Sequence, residues 1–481
     1  MATPYTRFAK KQRMPIVIRN GTVVTSTDQF NADILCDGGT IKAVGKNLDV
    51  PAGTEVVDAS GQYVFPGGID AHTHMELPFM GTTASDDFFT GTAAGVAGGT
   101  TSIIDFIIPN RNQSLLEARD FWFNNAKKAV SDYAFHMAVT WFSDQVRSEM
   151  QHVHKNDGIQ SFKIFMAYRG AIGVDDVELV QVLDTAHSLG ALVTSHCEHG
   201  DAVVALQKRL FERGQTGPDA HPRSRPAYLE GEATNRVIQL ARVASDGRNG
   251  HSASPSEAQP VYIVHLTAKE SMDAVYRARA EGQKVLVETC PQYLLLDDSV
   301  YSKPDFEGAA YVMSPPIRPK GHQEYLWNAL STGAIQHVAT DHCPFTQEQK
   351  SAGKNDFRKI PNGAAGIENR MSLMYTYGVA AGRISLQQFV DVTSTQAAKI
   401  FNLYPRKGCI AVGADADLVV YDPAGTSKIS AKTHHQRVDR NIFEGFELKG
   451  KVSNSIVNGK LQFTKGDLRV ERGAGRYLKR T

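Results

Sequence analysis

Between about Gly67 and Tyr404 the sequence alternates short β-branched apolar runs with longer stretches of helical periodicity. Eight apolar runs can be counted, and they end near His74, Asp105, Trp141, Ala167, Cys197, His265, Glu288 and Asp341. Each run is followed by a segment that can be helical, for example 175–188, 227–244 and 268–281. This alternation is typical of βα units, and eight consecutive units close most naturally into a barrel. The pattern therefore predicts an active site at the carboxyl ends of the strands.

The two ends of the chain have a different texture. Short alternating runs, separated by turn sequences such as Asn20-Gly21, occupy residues 16–19, 22–25, 32–36, 41–44 and 63–65. The same texture returns at residues 417–421, 451–457 and 460–463. The texture therefore predicts two β-rich ends around the barrel. The order of the motifs described below sharpens this to an α/β fold with a TIM-like (β/α)8 barrel over residues 66–404 and a small discontinuous β-sandwich from residues 1–65 and 405–481. Length alone would have suggested three domains of about 150 residues.

Charge and hydropathy exclude several classes of protein. The 481 residues carry 52 basic and 51 acidic side chains, so a net charge of +1 leaves no electrostatic footprint for nucleic acid or an anionic membrane. Hydrophobic residues make up 42% and charged residues 21%, which is ordinary for a globular chain with a large core. No apolar run reaches the roughly 18 residues of a membrane span. We expect neither nucleic acid nor a membrane among the partners.

The cysteine pattern bears on the cellular compartment. The chain has five widely spaced cysteines, with no pair at a metal-ribbon or Cys-x-x-Cys spacing. Scattered cysteines in odd number favour a reducing compartment, and we predict a cytoplasmic location. The first 26 residues are basic and contain no acid, as organellar presequences do. A strand-like run begins at Ile16, however, and leaves too little chain for an amphipathic presequence.

The first predicted barrel strand ends in a His-x-His sequence. Because side chains alternate along a strand, His72 and His74 point to one face. Two imidazoles that converge on one point can bind a metal ion. Two interior histidines with satisfied hydrogen bonds would give the same sequence, so the motif alone leaves both interpretations open.

Three later strands also end in side chains of the type that binds metals. Their apolar runs finish at Ser195-His196, Val264-His265 and Thr340-Asp341. A single strand-end histidine is more often capped or solvated than a ligand. Four histidines and one aspartate on one barrel rim are hard to explain in that way, and together they indicate a metal site.

A lysine occupies the fourth predicted strand, residues 161–167, where the other side chains should be buried. An ammonium group there would be costly to desolvate and would repel a nearby metal ion. Lys163 must therefore be paired, neutral or modified. A neutral amine can add carbon dioxide to become a carbamate, an anionic oxygen ligand that could bridge two divalent ions. On the residues alone, a lysine paired with a carboxylate is an equal alternative.

Taken together, these residues resemble the binuclear-metal amidohydrolase superfamily, and the surrounding sequence looks like its dihydropyrimidinase (hydantoinase) family. The resemblance covers residues 16 to about 459 in the family's order. Its motifs are long and specific: FPGGIDAHTHMELPFMGTTASDDFFTGT, SFKIFMAYRG, VHLTAKES, ETCPQYLLLD, YVMSPPIR, TDHCPF, FRKIPNGAAGIENRM and VDRNIFEG.

The resemblance implies two zinc ions per subunit at the barrel mouth. The ligands that it implies are His72, His74 and Asp341 for one ion, and His196 and His265 for the other. Lys163, carboxylated to N6-carboxylysine, and a hydroxide would bridge the two ions. Two Lewis acids about 3.5–4 Å apart lower the pKa of a shared water, so this hydroxide would attack a ring amide carbonyl. Asp341 would also be catalytic, because it can pass the proton to the leaving ring nitrogen.

Three more residues match positions where the family binds its substrate. Tyr168, five residues past Lys163, stands where the family uses a tyrosine, and it would both bind substrate and donate to the developing oxyanion. On the residues alone, an aromatic side chain that packs the rim is the simpler interpretation. Ser314 and Asn362 match the places where the family holds the cyclic imide, largely through main-chain groups.

Several features beside these motifs have plainer interpretations. Cys343 is close to Asp341, but no separate base is assigned to it, and we interpret it as buried packing. His342 either supports a ligand or is structural. His199 stands where the family is expected to have Asn, so a rim hydrogen bond can differ here. The Asp86-Asp87 pair most simply begins the helix after a barrel loop.

The expected substrate depends on the loop after the His-x-His motif. A dihydroorotase places an arginine two residues after the second histidine to hold a substrate carboxylate, but this chain has Glu76, which would repel an anion. We therefore expect a small neutral cyclic amide. The first candidates are 5,6-dihydrouracil and dihydrothymine, opened reversibly to N-carbamoyl-β-amino acids in pyrimidine catabolism, followed by 5-monosubstituted hydantoins. Allantoin fits less well, because residues 75–79 lack that family's Glu-Pro-Gly pattern.

A protein of a different class is the main alternative. The same fold builds non-catalytic scaffolds of the collapsin-response-mediator type, whose members have lost metal ligands. All six ligand positions are intact in this chain, which favours an enzyme. The family resemblance further implies a homotetramer, with the segment after Asn458 reaching a neighbouring subunit.

Overall fold

The computed structural model describes residues 14–246 and 252–481. Residues 1–13, with most of the basic side chains of the amino-terminal segment, lie outside the described part. The predicted α/β class is confirmed, because eight parallel strands pair in chain order to form a nearly closed barrel. The barrel strands are Gly68–Thr73, Thr100–Ile107, Asp132–Ala138, Ser161–Phe165, Leu192–His196, Val261–Ile263, Val285–Thr289 and His337–Val338.

Hydrogen bonds bridge the eighth and first barrel strands. Thr340 Oγ1 donates to Asp70 Oδ2 at 2.6 Å, and His74 N donates to the His342 carbonyl at 2.9 Å. These contacts draw the end of the last strand against the end of the first. The His-x-His motif and Asp341 are therefore neighbours in the fold, although about 270 residues separate them in the chain, because a closed barrel brings its first and last strands together.

The predicted strand ends lie within about three residues of those in the structure. The largest differences are at the third strand, which stops at Ala138 rather than near Trp141, and at the eighth, which stops at Val338 rather than near Asp341. Trp141 lies in the loop beyond the third strand, where its indole N–H donates to the Gln113 carbonyl at 2.9 Å.

Helices follow the strands around the barrel. The α-helices in the described part of the chain are Phe88–Ala97, Leu115–Ala126, Asp144–His152, Asp176–Leu189, Gly200–Glu212, Ala220–Arg223, Ala227–Val243, Lys269–Ala280, Pro291–Leu295, His322–Ser331, Gln347–Lys350, Arg370–Met374, Leu386–Val390 and Gln396–Ile400. The three helices predicted from the sequence all occur, with ends shifted by about one residue. Within residues 14–246 and 252–481, no helix is both long and apolar enough to cross a bilayer.

Shorter helical turns complete the connections. The 3-10 turns are Pro255–Glu257, Asp298–Ser302, Glu307–Tyr311, Ser351–Gly353 and Phe357–Lys359, and the π-helical turns are Val153–Asp157, Tyr375–Val379 and Asp391–Thr395.

The acidic pair after the first barrel strand has two separate roles. Asp87 begins the helix Phe88–Ala97, and its side chain accepts from Thr90 N at 2.7 Å. The prediction that the pair begins this helix is therefore right for Asp87 and wrong for Asp86. Asp86 is fully buried, and it accepts from His342 Nε2 at 3.0 Å and from Arg437 N at 2.9 Å.

The chain ends build the predicted small β domain, and its strands join in one mostly antiparallel sheet of nine. The strands are Ile16–Val24, Gln29–Asp37, Thr40–Gly45, Glu55–Asp58, Tyr63–Pro66, Leu418–Lys428, Glu447–Val457, Lys460–Thr464 and Asp467–Leu468. The pairing of Leu418 with Pro66 joins the two ends of the chain. The domain boundaries near residues 65 and 405 stay predictions.

The Asn20-Gly21 sequence forms a bulge within one strand rather than a turn between two. The strand Ile16–Val24 runs through it, and its register against the neighbouring strand shifts at this point. Asn20 has a φ of +62°, and its N–H donates to Asp33 Oδ1 at 3.1 Å. A Cβ on Gly21 would lie 2.5 Å from Val64 Cγ2, so only glycine fits. The local turn prediction was wrong because bulges use the same residue types as turns.

The last residues of the chain pack under the amino-terminal end of the barrel. Leu478 N donates to the Tyr133 carbonyl at 2.7 Å, and Arg480 Nη1 donates to Ser161 Oγ at 3.0 Å. Leu478 is fully buried in a cluster that includes Ala134 of the third barrel strand. The end of the segment expected to reach a neighbouring subunit therefore contacts its own barrel.

Candidate active site

The structure places nine predicted site residues around one pocket at the carboxyl ends of the barrel strands. The pocket together with its open mouth spans about 670 Å³. The residues are His72, His74, Lys163, Tyr168, His196, His265, Ser314, Asp341 and Asn362. Their individual roles stay predictions, but their convergence is what strand-end positions in a parallel barrel require.

One set of ligand atoms comes from the first and last strands. His72 Nε2 and His74 Nε2 lie 3.3 Å and 3.1 Å from Asp341 Oδ1. One ligand atom from each of the three side chains can be chosen so that all lie within 4.8 Å of one another. His72 Nε2 is buried and has no hydrogen-bond partner. This geometry suits one metal ion held by two imidazoles and a carboxylate.

A second set of ligand atoms comes from the fifth strand and the end of the sixth. His196 Nδ1 lies 3.0 Å from His265 Nε2, so the two rings present nitrogens to the same point. Burial lowers the pKa of His72, His196 and His265, and Lys163 lowers it further in all three, while Glu198 acts in the opposite direction at His196. These imidazoles are therefore neutral near pH 7, which is the state that binds a metal ion.

Lys163 lines the same pocket and is fully buried on the fourth strand. Its Nζ has no hydrogen-bond partner, and it lies 4.9 Å and 5.0 Å from the ring centroids of Phe106 and Phe165. Burial lowers the pKa of the amine to about 8, although Asp341 and Glu288 act in the opposite direction. Lys163 is thus not hydrogen-bonded to a carboxylate, as that alternative required. Its lowered pKa makes the neutral amine more accessible than in an exposed lysine, although the protonated form still predominates at pH 7.

Glu288, which the sequence predicted only as the end of the seventh strand, contacts two of the predicted ligands. Its carboxyl group lies 2.6 Å from His72 Nδ1 and accepts from His265 N at 3.1 Å and from the Tyr262 hydroxyl at 3.0 Å. Burial raises the pKa of this group to about 8, although Lys163 acts in the opposite direction. One side chain thereby orients two predicted ligands from opposite parts of the barrel. A carboxylate at a barrel strand end was the available signal.

A buried chain of ion pairs supports the second set. Glu198 Oε2 lies 2.8 Å from His196 Nε2 and pairs with Arg225 Nη1 at 2.5 Å. Arg318 donates to the Arg225 carbonyl and pairs with Glu230 at 2.6 Å. Glu230 accepts in turn from the N–H groups of Thr267 and Ala268, just after His265. Nothing in the local sequence identified Arg225 or Arg318, because their roles depend on partners distant in the chain.

Tyr168, Ser314 and Asn362 form the opposite wall of the pocket. Asn362 Nδ2 donates to Ser314 Oγ at 2.9 Å. Burial raises the pKa of Tyr168, while Arg225, whose guanidinium carbon lies 5.7 Å from the ring centroid, acts to lower it. The phenol is therefore a protonated hydrogen-bond donor at neutral pH.

Three of the predicted site residues have left-handed backbones. The φ angles are +61° for Tyr168, +38° for His265 and +55° for Asp341. This conformation is uncommon for residues other than glycine, and it is found where surrounding structure forces a side chain into a particular direction. Here it turns three side chains at strand ends into the pocket.

Two interpretations of nearby residues are confirmed and refined by contacts. Cys343 is buried and burial raises the pKa of its thiol, so it is packing rather than a nucleophile, although it does line the pocket. His342 is structural: its Nδ1 accepts from Gly366 N at 3.1 Å while its Nε2–H donates to Asp86. His199 replaces the expected Asn as the cap of the helix Gly200–Glu212, where its Nδ1 accepts from Ala202 N.

The expected role of Glu76 is wrong. Its side chain does not line the pocket but turns away and pairs with Lys128 Nζ at 2.6 Å. Glu76 has a φ of +54°, which takes its side chain off the alternation of the preceding strand. The pocket still lacks the arginine with which a dihydroorotase holds its substrate carboxylate. Within the described residues, Lys163 is the only lysine or arginine that lines the pocket.

The chain matches known proteins over nearly their whole length. Residues 63–462 match the model of the amidohydrolase family. The chain is 47% identical to the D-hydantoinase of Geobacillus stearothermophilus over 469 residues, which cover 97% of each chain. It is 46% identical to the dihydropyrimidinase of Arabidopsis thaliana, covering 96% of this chain and 85% of that one. The crystal structure of dihydropyrimidinase from Brevibacillus agri NCHU1002 superposes with a TM-score of 0.93 at 46% identity, covering 97% of this chain and 99% of that one.

Proposed function

Because this chain belongs to the dihydropyrimidinase and D-hydantoinase family of amidohydrolases and is a hydrolase acting on cyclic amides, we propose that it opens 5,6-dihydrouracil and dihydrothymine to N-carbamoyl-β-amino acids. The observation that carries the proposal is the convergence of the six predicted ligand side chains on one pocket floor, opposite Tyr168, Ser314 and Asn362. A pyrimidine-type ring presents carbonyl oxygens and ring N–H groups that such walls can bind.

The residues of the pocket floor fit a pair of metal ions. His72, His74 and Asp341 would hold one zinc ion, His196 and His265 the second, and carboxylated Lys163 both. The unpartnered atoms His72 Nε2 and Lys163 Nζ support this assignment, since buried polar atoms without partners are rare in the absence of a ligand. When bound, the ions would supply a Lewis acid for the ring carbonyl and an activated water.

The protein's own groups would orient the ring and move the proton. Asp341, whose side chain is 12% exposed, can take a proton from the attacking water and give it to the leaving ring nitrogen. Tyr168 can donate its phenolic hydrogen to the carbonyl oxygen as negative charge develops there. Ser314 and Asn362 would hold the opposite edge of the ring.

The pocket walls support a neutral ring with a small or apolar substituent. Leu77, Phe79, Ile108 and Ile172 line the pocket, and no arginine among the described residues does so. A substrate carboxylate would have no charged partner there, which argues against dihydroorotate. The same apolar walls support 5-monosubstituted hydantoins as a second substrate class, and the relative from Geobacillus stearothermophilus is a D-hydantoinase by name.

We also propose a homotetramer in the cytoplasm. All five cysteines are free, which supports a reducing compartment. The assembly is proposed from the family to which the chain belongs.

A steady-state comparison tests the proposed substrates. Purified enzyme with zinc is expected to hydrolyse dihydrouracil and dihydrothymine with a higher kcat/KM than a 5-substituted hydantoin. The reaction is monitored by the loss of ring absorbance in the far ultraviolet. Lys163→Ala is the matched control, and it should lose both activity and most bound zinc. No hydrolysis of any of these rings by the zinc-loaded protein would contradict the proposed function. Full zinc occupancy in Lys163→Ala would contradict the bridging carbamate.

A further inference from the structure

Lys350 is a buried lysine that lies behind the pocket and has no place in the proposed reaction. It ends the short helix Gln347–Lys350, and only 2% of its surface is exposed. Its Nζ donates to the Val312 carbonyl at 3.0 Å and to the Pro361 carbonyl at 2.9 Å. Both acceptors are main-chain carbonyls, so no carboxylate neutralises the amine through these bonds.

The two acceptors belong to the two loops that carry the proposed substrate contacts. Val312 lies two residues before Ser314, and Pro361 lies immediately before Asn362. Lys350 itself does not line the pocket. Its side chain reaches the two loops from the side away from the substrate and joins them through one atom.

The same loops also contact each other directly. Gly363 N donates to the Val312 carbonyl at 2.9 Å, and Asn362 Nδ2 donates to Ser314 Oγ at 2.9 Å. Gly363 has a φ of +147°, and a Cβ on it would lie 2.3 Å from the Cys343 carbonyl oxygen. The Asn362 loop is therefore packed between the Ser314 loop and Cys343, which follows the last barrel strand, and it has little room to shift.

Packing alone does not explain why an amine occupies the buried position of Lys350. Burial lowers the pKa of Lys350 to about 7, which shows that the surroundings disfavour the charged form. A methionine would fill nearly the same volume without a polar group to desolvate. What methionine cannot supply is an N–H donor for the Pro361 carbonyl and a second donor for the Val312 carbonyl, which would otherwise accept only from Gly363 N. A buried acceptor without a partner is costly.

We propose that Lys350 is a positioning residue that fixes the separation of the Ser314 and Asn362 loops, and thereby the affinity for the cyclic substrate. This inference rests on the proposed function, in which those loops hold the ring. The contacts of the loops are made with the bound ring before and during its cleavage. Their loss therefore raises KM and leaves kcat nearly unchanged, as expected for binding that is uniform along the reaction.

The test compares Lys350→Met with Lys354→Met, an exposed lysine four residues further on. We expect the first variant to show a KM for dihydrouracil raised about tenfold, with kcat within about twofold of the unmodified enzyme and full zinc content. The control should match the unmodified enzyme in all three. An unchanged KM, or a fall in kcat without a change in KM, would overturn the inference.

A second variant keeps the inference testable should Lys350→Met fail to fold. The side chain in Lys350→Gln keeps two N–H donors but is one atom shorter, so it can reach only one of the two carbonyls. Its KM should lie above that of the unmodified enzyme and below that of any folded Lys350→Met, at unchanged kcat. A KM equal to that of the unmodified enzyme would refute the role of Lys350. Failure of the unmodified enzyme to open any cyclic amide would instead refute the proposed function.

Discussion

Glu198 and Glu288 decide which nitrogen of two pocket histidines faces the cavity. The Glu198 carboxylate lies against His196 Nε2, which leaves Nδ1 directed at His265. Glu288 lies against His72 Nδ1 and leaves Nε2 directed at Asp341. The two rings therefore use opposite nitrogens. Glu198 is ionised at neutral pH, and a carboxylate that accepts the outer N–H fixes the tautomer and raises the basicity of the nitrogen that faces the cavity.

Glu198→Gln is expected to weaken zinc binding without abolishing it. Burial raises the pKa of Glu198, but Arg225 and His196 lower it by more than burial raises it. The resulting pKa is about 2, so the group is ionised at neutral pH. The amide keeps the shape but loses the charge, and it leaves the buried Arg225 without its ion-pair partner. We expect zinc affinity to fall about 10- to 100-fold, measured by competition with a chromophoric chelator.

Glu212→Gln is the control for this prediction, because Glu212 has a side chain that is 61% exposed on the helix Gly200–Glu212. It should bind zinc as the unmodified protein does. Equal zinc affinity in Glu198→Gln and Glu212→Gln would show that His196 does not need its carboxylate.

The candidate ligands could be predicted from sequence, whereas the residues that hold them could not. A ligand such as His196 ends an apolar run, and that position alone places it on the barrel rim. Arg225 lies in a loop between two helices and acquires its role only when folding brings it to Glu198. Glu76 shows the reverse case, because its sequence position predicts a pocket residue but its backbone turns it towards Lys128.

Individual strands and helices were predictable where their periodicity is local. The helix Asp176–Leu189 begins after Asp175, whose side chain accepts from Glu178 N, and it ends at Gly190 with a φ of +67°. Both ends are encoded within a few residues. The bulge at Asn20-Gly21 was not predictable, because only the neighbouring strand decides between a turn and a bulge.

The carboxyl-terminal segment packs against the barrel, which its sequence did not predict. Leu478 and Arg480 are buried on either side of the exposed Lys479. This alternation places two side chains against the barrel floor, where Arg480 also donates to the Phe135 carbonyl. Residues 478–480, which have no regular secondary structure, thus complete the core of the barrel.

Leu478→Ala should destabilise the protein without altering the pocket. Removal of a fully buried leucine costs about 2–5 kcal/mol when the cavity does not collapse. We expect a lower thermal midpoint and an unchanged KM for the folded enzyme, since the site lies at the opposite end of the barrel. Lys479→Ala is the control and should leave the midpoint unaltered. Equal midpoints for the two variants would mean that the segment does not pack as described.

At the scale of the molecule, a buried ionic cluster joins the barrel, the β domain and the carboxyl-terminal segment. Lys407 Nζ contacts Asp132 at 2.7 Å, Asp415 at 3.1 Å and Asp417 at 2.5 Å. Arg476 pairs with Asp132 at 2.8 Å. Asp132 begins the third barrel strand, whereas Asp417 precedes the β-domain strand Leu418–Lys428. The two β-rich ends of the chain were predictable from strand texture, but this junction was not, since its members are scattered along the chain.

Asp132→Asn should destabilise the protein in a manner that depends on pH. Burial would raise the pKa of Asp132, but Lys407 and Arg476 hold it at about 2, below its ordinary value of 3.8. A carboxylate with a lowered pKa stabilises the fold fully above its ordinary pKa, and the stabilisation is lost as the pH falls through the folded-state value. Removal of one partner of a buried ion pair costs about 3–5 kcal/mol. We therefore expect a lower urea midpoint for the variant at neutral pH.

The difference between the two proteins should stay constant down to about pH 4 and then shrink towards pH 2, where Asp132 itself becomes neutral. Asp467→Asn, at a position whose side chain is 67% exposed, is the control and should follow the unmodified protein throughout. The comparison is made on metal-free protein, because protonation of the histidines releases bound metal at low pH. A difference that persists undiminished at pH 2 would mean that Asp132 acts through its shape and hydrogen bonds alone. Its charge would then not hold the barrel and the β domain together.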